Sequence, residues 1–302
     1  MSSRIGSVAV LGTGVIGAAI ARNLAAAGLE TAAWNRTAER ARPLADDGVR
    51  IAEEVGDAVR GAEAVLTALS DGPSVEHVMA GAGGGLMAAE SGAVWIQTST
   101  VGIDATERLA ELAGDAEVSL LDAPVLGTKE PAEKGELIVL ASGPAAALER
   151  CRPVFAAIGA RTVELGEEPG EATRMKLVLN SWLLALTAGL AESIALADAL
   201  GVDPEEFLSV IEGGPLDVAY AHLKGAMMIN RDYETSFALS NAAKDARLVL
   251  EAAAADGVEL PVAAAVRDLF AEAEALGHGE ADMAAVHEVA SSEADERPAA
   301  AP

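Results

Sequence analysis

Lys176 and Asn180 set an ammonium and a carboxamide four residues apart, inside a run from 172 to 200 that is otherwise apolar on nearly every side. That spacing stacks two side chains on one helical face. A cation and an amide therefore share a stripe of a helix whose composition predicts burial over most of its surface. A lysine drawn out of water there is less firmly held in its charged form and can deliver or take a proton. A lysine lying in the first exposed turns would instead run its stem along the helix and keep its charge in solvent. The two residues alone leave both readings open.

A second set lies near the N-terminus, in SVAVLGTGVIGAAIARNLAAAG at 7–28. A β-rich run at 7–11 leads into Gly12, Gly14 and Gly17 in G-x-G-x-x-G spacing, then into an alanine-rich helical pattern closed by Gly28. Strand, glycines and helix in that order are the arrangement for binding a dinucleotide. Gly12 makes the tight turn, Gly14 lets the backbone approach a pyrophosphate, and Gly17 lets helix and strand pack closely. The phosphates would meet the first helical N–H groups, around Val15 and Ile16. A second apolar run at 31–34 ends in Asn35, Arg36 and Thr37. An NAD site would place an acidic residue about 20 positions after the glycines, to hold the ribose 2′-hydroxyl. Here Arg36 is positioned to pair with a 2′-phosphate, with Asn35 and Thr37 adding hydrogen bonds, so NADP (NADPH) is the expected cofactor.

These residues need elements to hold them. Apolar runs at 64–69, 94–96, 118–121, 137–141 and 162–165 alternate with helical or loop patterns. The expected fold is an α/β Rossmann-type doubly wound domain over 1–168, then an all-α domain over 169–290 that opens with the long interdomain helix. Gly201 suits the end of that helix, and Asp203 with Pro204 suits the start of the next. Segments 249–255 and 262–276 read as further amphipathic helices, and 291–302 reads as a disordered tail. In doubly wound sheets ligands bind beyond the C-terminal ends of strands. The residues at those ends are Ser70 and Asp71, then Thr98, Ser99 and Thr100, then the block DAPVLGTKEPAEKGEL at 122–137.

Composition narrows the possible functions. The chain has 302 residues, 51% of them hydrophobic and 23% charged, and a formal net charge of −26. Such a charge disfavours nucleic acid and anionic membranes as partners. Asn180, Glu192 and Asp198 interrupt the one run long enough to span a bilayer, so a core helix is expected there. The N-terminus lacks a cleavage pattern, and the single cysteine, Cys151, calls for no oxidising compartment; a cytoplasmic protein is expected. The four histidines show no metal-ligand spacing, so no metal is expected. A long apolar helix with more surface than one small domain covers predicts a homodimer.

Taken together, the glycine-rich start, NRT at 35–37, TSTV at 98–101, the block at 122–137 and KLVLN at 176–180 resemble the β-hydroxyacid dehydrogenases. Within them the chain is most similar to the NADPH-dependent glyoxylate and succinic semialdehyde reductases, whose APVSGSKKPAEDGQL block it nearly repeats. The likeness continues through FALSNAAKDARLVLEAA, LPVAAAVRDLF and GHGEADMAAV, and covers about residues 5–290. The resemblance implies that Lys176 protonates the carbonyl oxygen as hydride arrives, and that Asn180 orients substrate and lysine. It further implies that Thr100 lies near substrate and nicotinamide, that Leu69 and Lys244 touch the cofactor, and that Phe237 and Asp245 line the closed site.

One departure stands out. The family's PVSG is Pro124, Val125, Leu126, Gly127 here, and the serine replaced by Leu126 helps hold a substrate carboxylate. Gly127 N–H, Thr128 and Lys129 could compensate. The expected reaction is NADP-dependent reduction of a small aldehyde or oxo acid, of the succinic semialdehyde or glyoxylate type, to the hydroxy acid. Alternatives are a 3-hydroxyisobutyrate or 2-hydroxy-3-oxopropionate dehydrogenase, an imine reductase, or a non-enzymatic NADP-binding scaffold or sensor.

Overall fold

The structure is a computed structural model that describes residues 4–295. It contains two compact units, one ending at Lys176 and the other beginning at Leu177. The division falls inside the long helix, whereas the sequence pattern put it at 168/169, ahead of that helix. A boundary read from composition finds where the helical pattern begins, not where contacts change hands along it.

The first unit is built on a nine-stranded sheet: β1 (Ser7–Leu11), β2 (Glu30–Trp34), β3 (Arg50–Ile51), β4 (Ala64–Thr67), β5 (Val94–Gln97), β6 (Ser119–Asp122), β7 (Val125–Leu126), β8 (Leu137–Ser142) and β9 (Gly159–Gly166). Their order is β3-β2-β1-β4-β5-β6-β8-β7, with β9 on β8. The strands from β3 to β6 are parallel, which makes this a doubly wound Rossmann sheet. β8 runs antiparallel to β6 and β7. The central strands carry almost no polar residues because helices cover both faces of a parallel sheet. Val8, Val10, Leu66 and Ile96 pack on one face with Ile20, Leu24 and Phe155. Ala9, Leu11, Val65 and Trp95 pack on the other with Val75, Met79 and Leu109.

The polar residues of the core sit at one level of the sheet. The strand register places Thr67 beside Gln97, Gln97 beside Asp122, and Asp122 beside Ser142. All four are fully buried, and they form a row at the C-terminal ends of β4, β5 and β6.

The helix Val15–Ala26 ends as expected at Gly28, whose φ of 84° lies in the left-handed region and whose N–H reaches Ala25 O at 2.9 Å. The long helix spans Glu171–Leu200 and is long and apolar enough to cross a membrane. Its expected burial is not met. Only 44% of its most apolar stretch is buried, and Met175, Val178, Trp182, Leu196 and Leu200 are exposed. Apolar residues all round a helix predict burial only if some other surface covers every side, and among the described residues one side stays open.

Among the described residues the second unit has helices and no strand after β9, with Pro204–Ile211, Ala219–Asn230, Leu239–Ala255, Pro261–Ala273 and His287–Asp295 as its elements. Asp203 caps Pro204–Ile211 through a 2.9 Å bond from Glu205 N–H. Leu184, Ile194, Leu239, Phe270, Met283 and Val286 form its core. The expected tail needs correcting: residues 291–295 continue the last helix, which alanine, glutamate and serine can extend, and 296–302 lie outside the described residues.

Candidate functional site

The glycine loop follows directly from β1. Gly12 has φ 102°, and a Cβ there would stand 2.3 Å from Ala68 O and 2.8 Å from Leu69 Cδ2. A Cβ on Gly17 would stand 2.0 Å from Gly12 O, so the helix could not approach the strand. Gly14 is different: nothing lies within 4 Å of its Cβ position, and it opens onto the first helical turn with exposed Val15 and half-buried Ile16. The space is where a pyrophosphate would approach N–H groups that the helix itself leaves unpaired. Thr13 Oγ1 beside it is buried with no hydrogen-bond partner among the described residues, which leaves one more group for a ligand. The loop thus fits a dinucleotide.

Asn35 ties the loop down by accepting from Thr13 N–H at 2.9 Å while its amide donates to Thr37 O at 3.0 Å. Both of its groups serve the backbone of the cradle. Arg36 and Thr37 are exposed beyond β2, and Arg36 makes no ion pair or hydrogen bond among the described residues.

Leu69 and Thr100 are half-buried just past β4 and β5, and the polar row sets their loops. Trp95 Nε1 donates to Thr67 Oγ1 at 3.0 Å, and Thr67 Oγ1 lies 3.2 Å from Gln97 Oε1. Gln97 then clasps the peptide of Ser99 from both ends, accepting from its N–H at 2.8 Å and donating to its carbonyl at 2.7 Å. Ser99 Oγ accepts from Leu69 N–H at 2.8 Å. One buried amide therefore fixes the loop that carries Thr100 and, through Ser99, the loop that carries Leu69.

On the far side of the row, Asp122 and Ser142 receive the start of the long helix. Asp122 Oδ2 accepts from Gly170 N–H at 2.9 Å and Thr173 N–H at 2.8 Å, and Oδ1 from the Thr173 hydroxyl at 2.8 Å. Ser142 Oγ accepts from Ala172 N–H at 3.0 Å. The N–H groups a helix cannot satisfy itself are met by side chains from two strands. Burial raises the Asp122 carboxyl, while the bonds from Thr173 and Gly170 pull it back down. Within one turn after this seat, half-buried Lys176 donates from Nζ to Val125 O at 2.9 Å. Val125 is in the short β7, so the ammonium lies against the strand that carries half-buried Leu126 and leads to Gly127 and Thr128.

In the second unit Asn180 is buried and donates from Nδ2 to Asp245 Oδ2 at 2.7 Å. Asp245 Oδ1 lies 2.8 Å from Lys244 Nζ. Asn180, Lys244 and Asp245 thus form one cluster, and Asn180 Oδ1 is buried without a hydrogen-bond partner among the described residues. Phe237 is half-buried on a neighbouring segment whose backbone is held by Asp282: Ser236 N–H and Phe237 N–H both reach Oδ2, at 3.0 and 3.1 Å. Asp282 is itself paired with Lys224 at 2.6 Å, both side chains fully buried. Desolvation works against the Asp282 carboxylate, but Lys224 and the surrounding donors hold it below its ordinary value; burial lowers Lys224. A cavity of about 310 Å³ lined by Glu205, Glu212, His222 and Asn230 holds none of the expected site residues.

Sequence reasoning missed the polar row and the Lys224–Asp282 pair. A signal for the row existed: Thr67, Gln97, Asp122 and Ser142 are each the polar last residue of an apolar strand. No comparable signal marks Lys224, which lies in a helix of ordinary polarity.

The sequence pattern of the NAD binding domain of 6-phosphogluconate dehydrogenase matches residues 7–166. That of the NAD-binding domain of NADP-dependent 3-hydroxyisobutyrate dehydrogenase matches residues 170–290. Glyoxylate/succinic semialdehyde reductase 2, chloroplastic, of Arabidopsis thaliana is 32% identical, over 93% of this chain and 78% of the relative. Glyoxylate/succinic semialdehyde reductase 1 of the same plant is 31% identical, over 93% of this chain and 97% of the relative. A crystal structure of 3-hydroxyisobutyrate dehydrogenase from Salmonella typhimurium is similar with a TM-score of 0.87 and 25% identity, covering 94% of this chain and 99% of that one.

Proposed function

From the premise that the chain belongs to the β-hydroxyacid dehydrogenase family of NAD(P)-dependent oxidoreductases, we propose that it reduces a small aldehyde or oxo acid with NADPH, using Lys176 as proton donor. The observation that carries this reading is the seat of Lys176, whose Nζ rests 2.9 Å from the carbonyl of Val125 beside Leu126. Bound at the glycine loop, a reduced nicotinamide supplies hydride. As the carbonyl oxygen gains charge, the Lys176 ammonium stabilises it and releases a proton to it, so the alcohol leaves neutral. Asn180 has one amide oxygen without a partner among the described residues to offer an incoming hydroxyl or ammonium, and Asp245 fixes the orientation of that amide. Arg36, exposed and without a partner among the described residues, supports preference for the 2′-phosphate.

Leu126 shapes substrate choice. A leucine where the family offers a hydroxyl forfeits a hydrogen bond to a substrate carboxylate, at a cost of about 1–3 kcal/mol. The preferred substrate should be larger or less polar than glyoxylate. The open side of the long helix, with Trp182 65% exposed, supports a second copy of this chain as the partner that covers it.

The test is NADPH oxidation against succinic semialdehyde, glyoxylate, an apolar aldehyde and a cyclic imine. Lys176→Ala should lower semialdehyde turnover on the order of 10²–10⁴-fold while NADPH binding, read by fluorescence, persists. Unchanged turnover in that variant would sink the role of Lys176. Glyoxylate as the best substrate would sink the reading of Leu126.

A further inference from the structure

We propose that Asp122, assisted by Ser142, is the positioning residue for Lys176. The inference rests on the reading of Lys176 as proton donor, but its geometry stands independently. Lys176 reaches its position from a helix start where the local side chain of Glu171 accepts only from Glu168 N–H, at 3.1 Å, ahead of the helix. Instead the seat is supplied by the sheet. Asp122 takes two backbone N–H groups and the hydroxyl of Thr173, and Ser142 takes the N–H of Ala172 between them. Thr173 is anchored a second time, its hydroxyl 3.2 Å from that of Thr106, which donates to Gly102 O at 2.8 Å.

Every residue in this seat is buried, and its Asp122 lies three residues before the β7 residue whose carbonyl Lys176 contacts. Asp122 closes β6, and Val125 opens β7 three residues later. Both ends of the lysine's placement, the helix that carries it and the carbonyl that receives it, are thus referred to one short piece of chain. A carboxylate suits the task better than a neutral group. It accepts several N–H bonds at once and lies at the positive end of the helix dipole. Asp122 acts through the helix and not on the substrate. It acts by denying the first helical turn any other register.

The experiment compares Asp122→Ala, Asp122→Asn and Ser142→Ala with the unaltered protein, using succinic semialdehyde and NADPH. Two readouts are taken: kcat and KM across pH, and the acetylation rate of Lys176 by acetic anhydride in cofactor-free protein, read by peptide mass spectrometry. Asp122→Ala should lower kcat on the order of 10- to 100-fold, as misplacing a catalytic group by an ångström does. Its NADPH affinity should hold, and Lys176 should label faster because the ammonium leaves the Val125 carbonyl. Asp122→Asn, which keeps an oxygen for the two N–H groups, should recover most of the kcat and the slow labelling. Ser142→Ala should fall between, and it decides the matter if Asp122→Ala does not fold. A folded Asp122→Ala protein with unchanged kcat and unchanged labelling overturns the proposal. If Lys176→Ala keeps its turnover while Asp122→Ala still speeds labelling, the proton-donor reading fails and the positioning role survives.

Discussion

Two regions of this chain bury polar side chains completely, and they do so on opposite terms. In the sheet unit, Thr67, Gln97, Asp122 and Ser142 lie in one register; Thr67 bonds the side chains of Trp95 and Gln97, while Gln97, Asp122 and Ser142 bond mostly backbone groups of a loop and of a helix start. In the helical unit, Lys224 and Asp282 meet each other as full charges at 2.6 Å. Ser236 joins them, lying 3.1 Å from Lys224 Nζ and donating to Asp282 Oδ2 at 2.7 Å. Removing charge from water costs far more than removing an amide or hydroxyl. The ion pair holds two charged groups against each other and is therefore the more dangerous construction to disturb; the row has one ionisable member, Asp122, and under the proposed function it would set the loops and the helix start that carry Leu69, Thr100 and Lys176.

The largest effect should come from halving the ion pair. Lys224→Met leaves the Asp282 carboxylate buried without its cation and should cost on the order of 3–5 kcal/mol in urea unfolding. Lys224→Met combined with Asp282→Asn, which removes the unpaired charge and keeps an acceptor oxygen for the Ser236 and Phe237 N–H groups at the expense of the Ala284 N–H, should regain part of that loss. The contrast with the row collapses if the single variant loses no more than a surface pair such as Arg22–Asp47, worth about 0.2–1 kcal/mol.

A smaller loss is expected on the sheet side. Gln97→Leu strands the N–H and carbonyl of Ser99, at about 1–3 kcal/mol. The more telling change is functional. With the Ser99 clasp gone, the loops bearing Leu69 and Thr100 loosen, so KM for NADPH should rise while labelling of Lys176 stays slow. If Gln97→Leu speeds that labelling, the row works as one unit and the cofactor side cannot be separated from the helix seat.

Much of the sheet unit is legible from residues alone. Period, glycine spacing and strand-helix order fix β1, the cradle at Gly14 and the helix after it, since each depends on contacts near in sequence. The placement of Lys176 beside Val125 is not legible in that way, because it depends on strands far from the helix that carries the lysine. Asn180 is similar: its spacing from Lys176 is visible in the chain, but its bond to Asp245 crosses 65 residues. The long helix shows the converse limit, where patterning gave the element correctly and overstated its burial, because patterning cannot say whether a covering surface exists within the same chain.

The smallest effect belongs to a third buried polar group, one that makes no ion pair among the described residues. His287 is 2% exposed, its Nε2 has no hydrogen-bond partner among the described residues, and its Nδ1 is 3.4 Å from the Tyr233 hydroxyl. Desolvation lowers it from an ordinary value of 6.5; Arg231 pushes the same way, and Glu288 and Asp198 oppose. The sign follows from linkage. The folded state prefers the neutral ring, so this contribution to stability is complete above 6.5 and declines as pH falls from there through the lower folded value. His287→Gln cannot titrate and should flatten that part of the slope. Comparing melting of the two proteins at about pH 7.5 and 5.5 isolates the effect, because carboxylate titration is common to both and cancels. The unaltered protein should lose more on acidification than the variant. Equal losses would mean that His287 charges as readily folded as unfolded, and that its burial in the helical unit is bought with a partner the ring can reach.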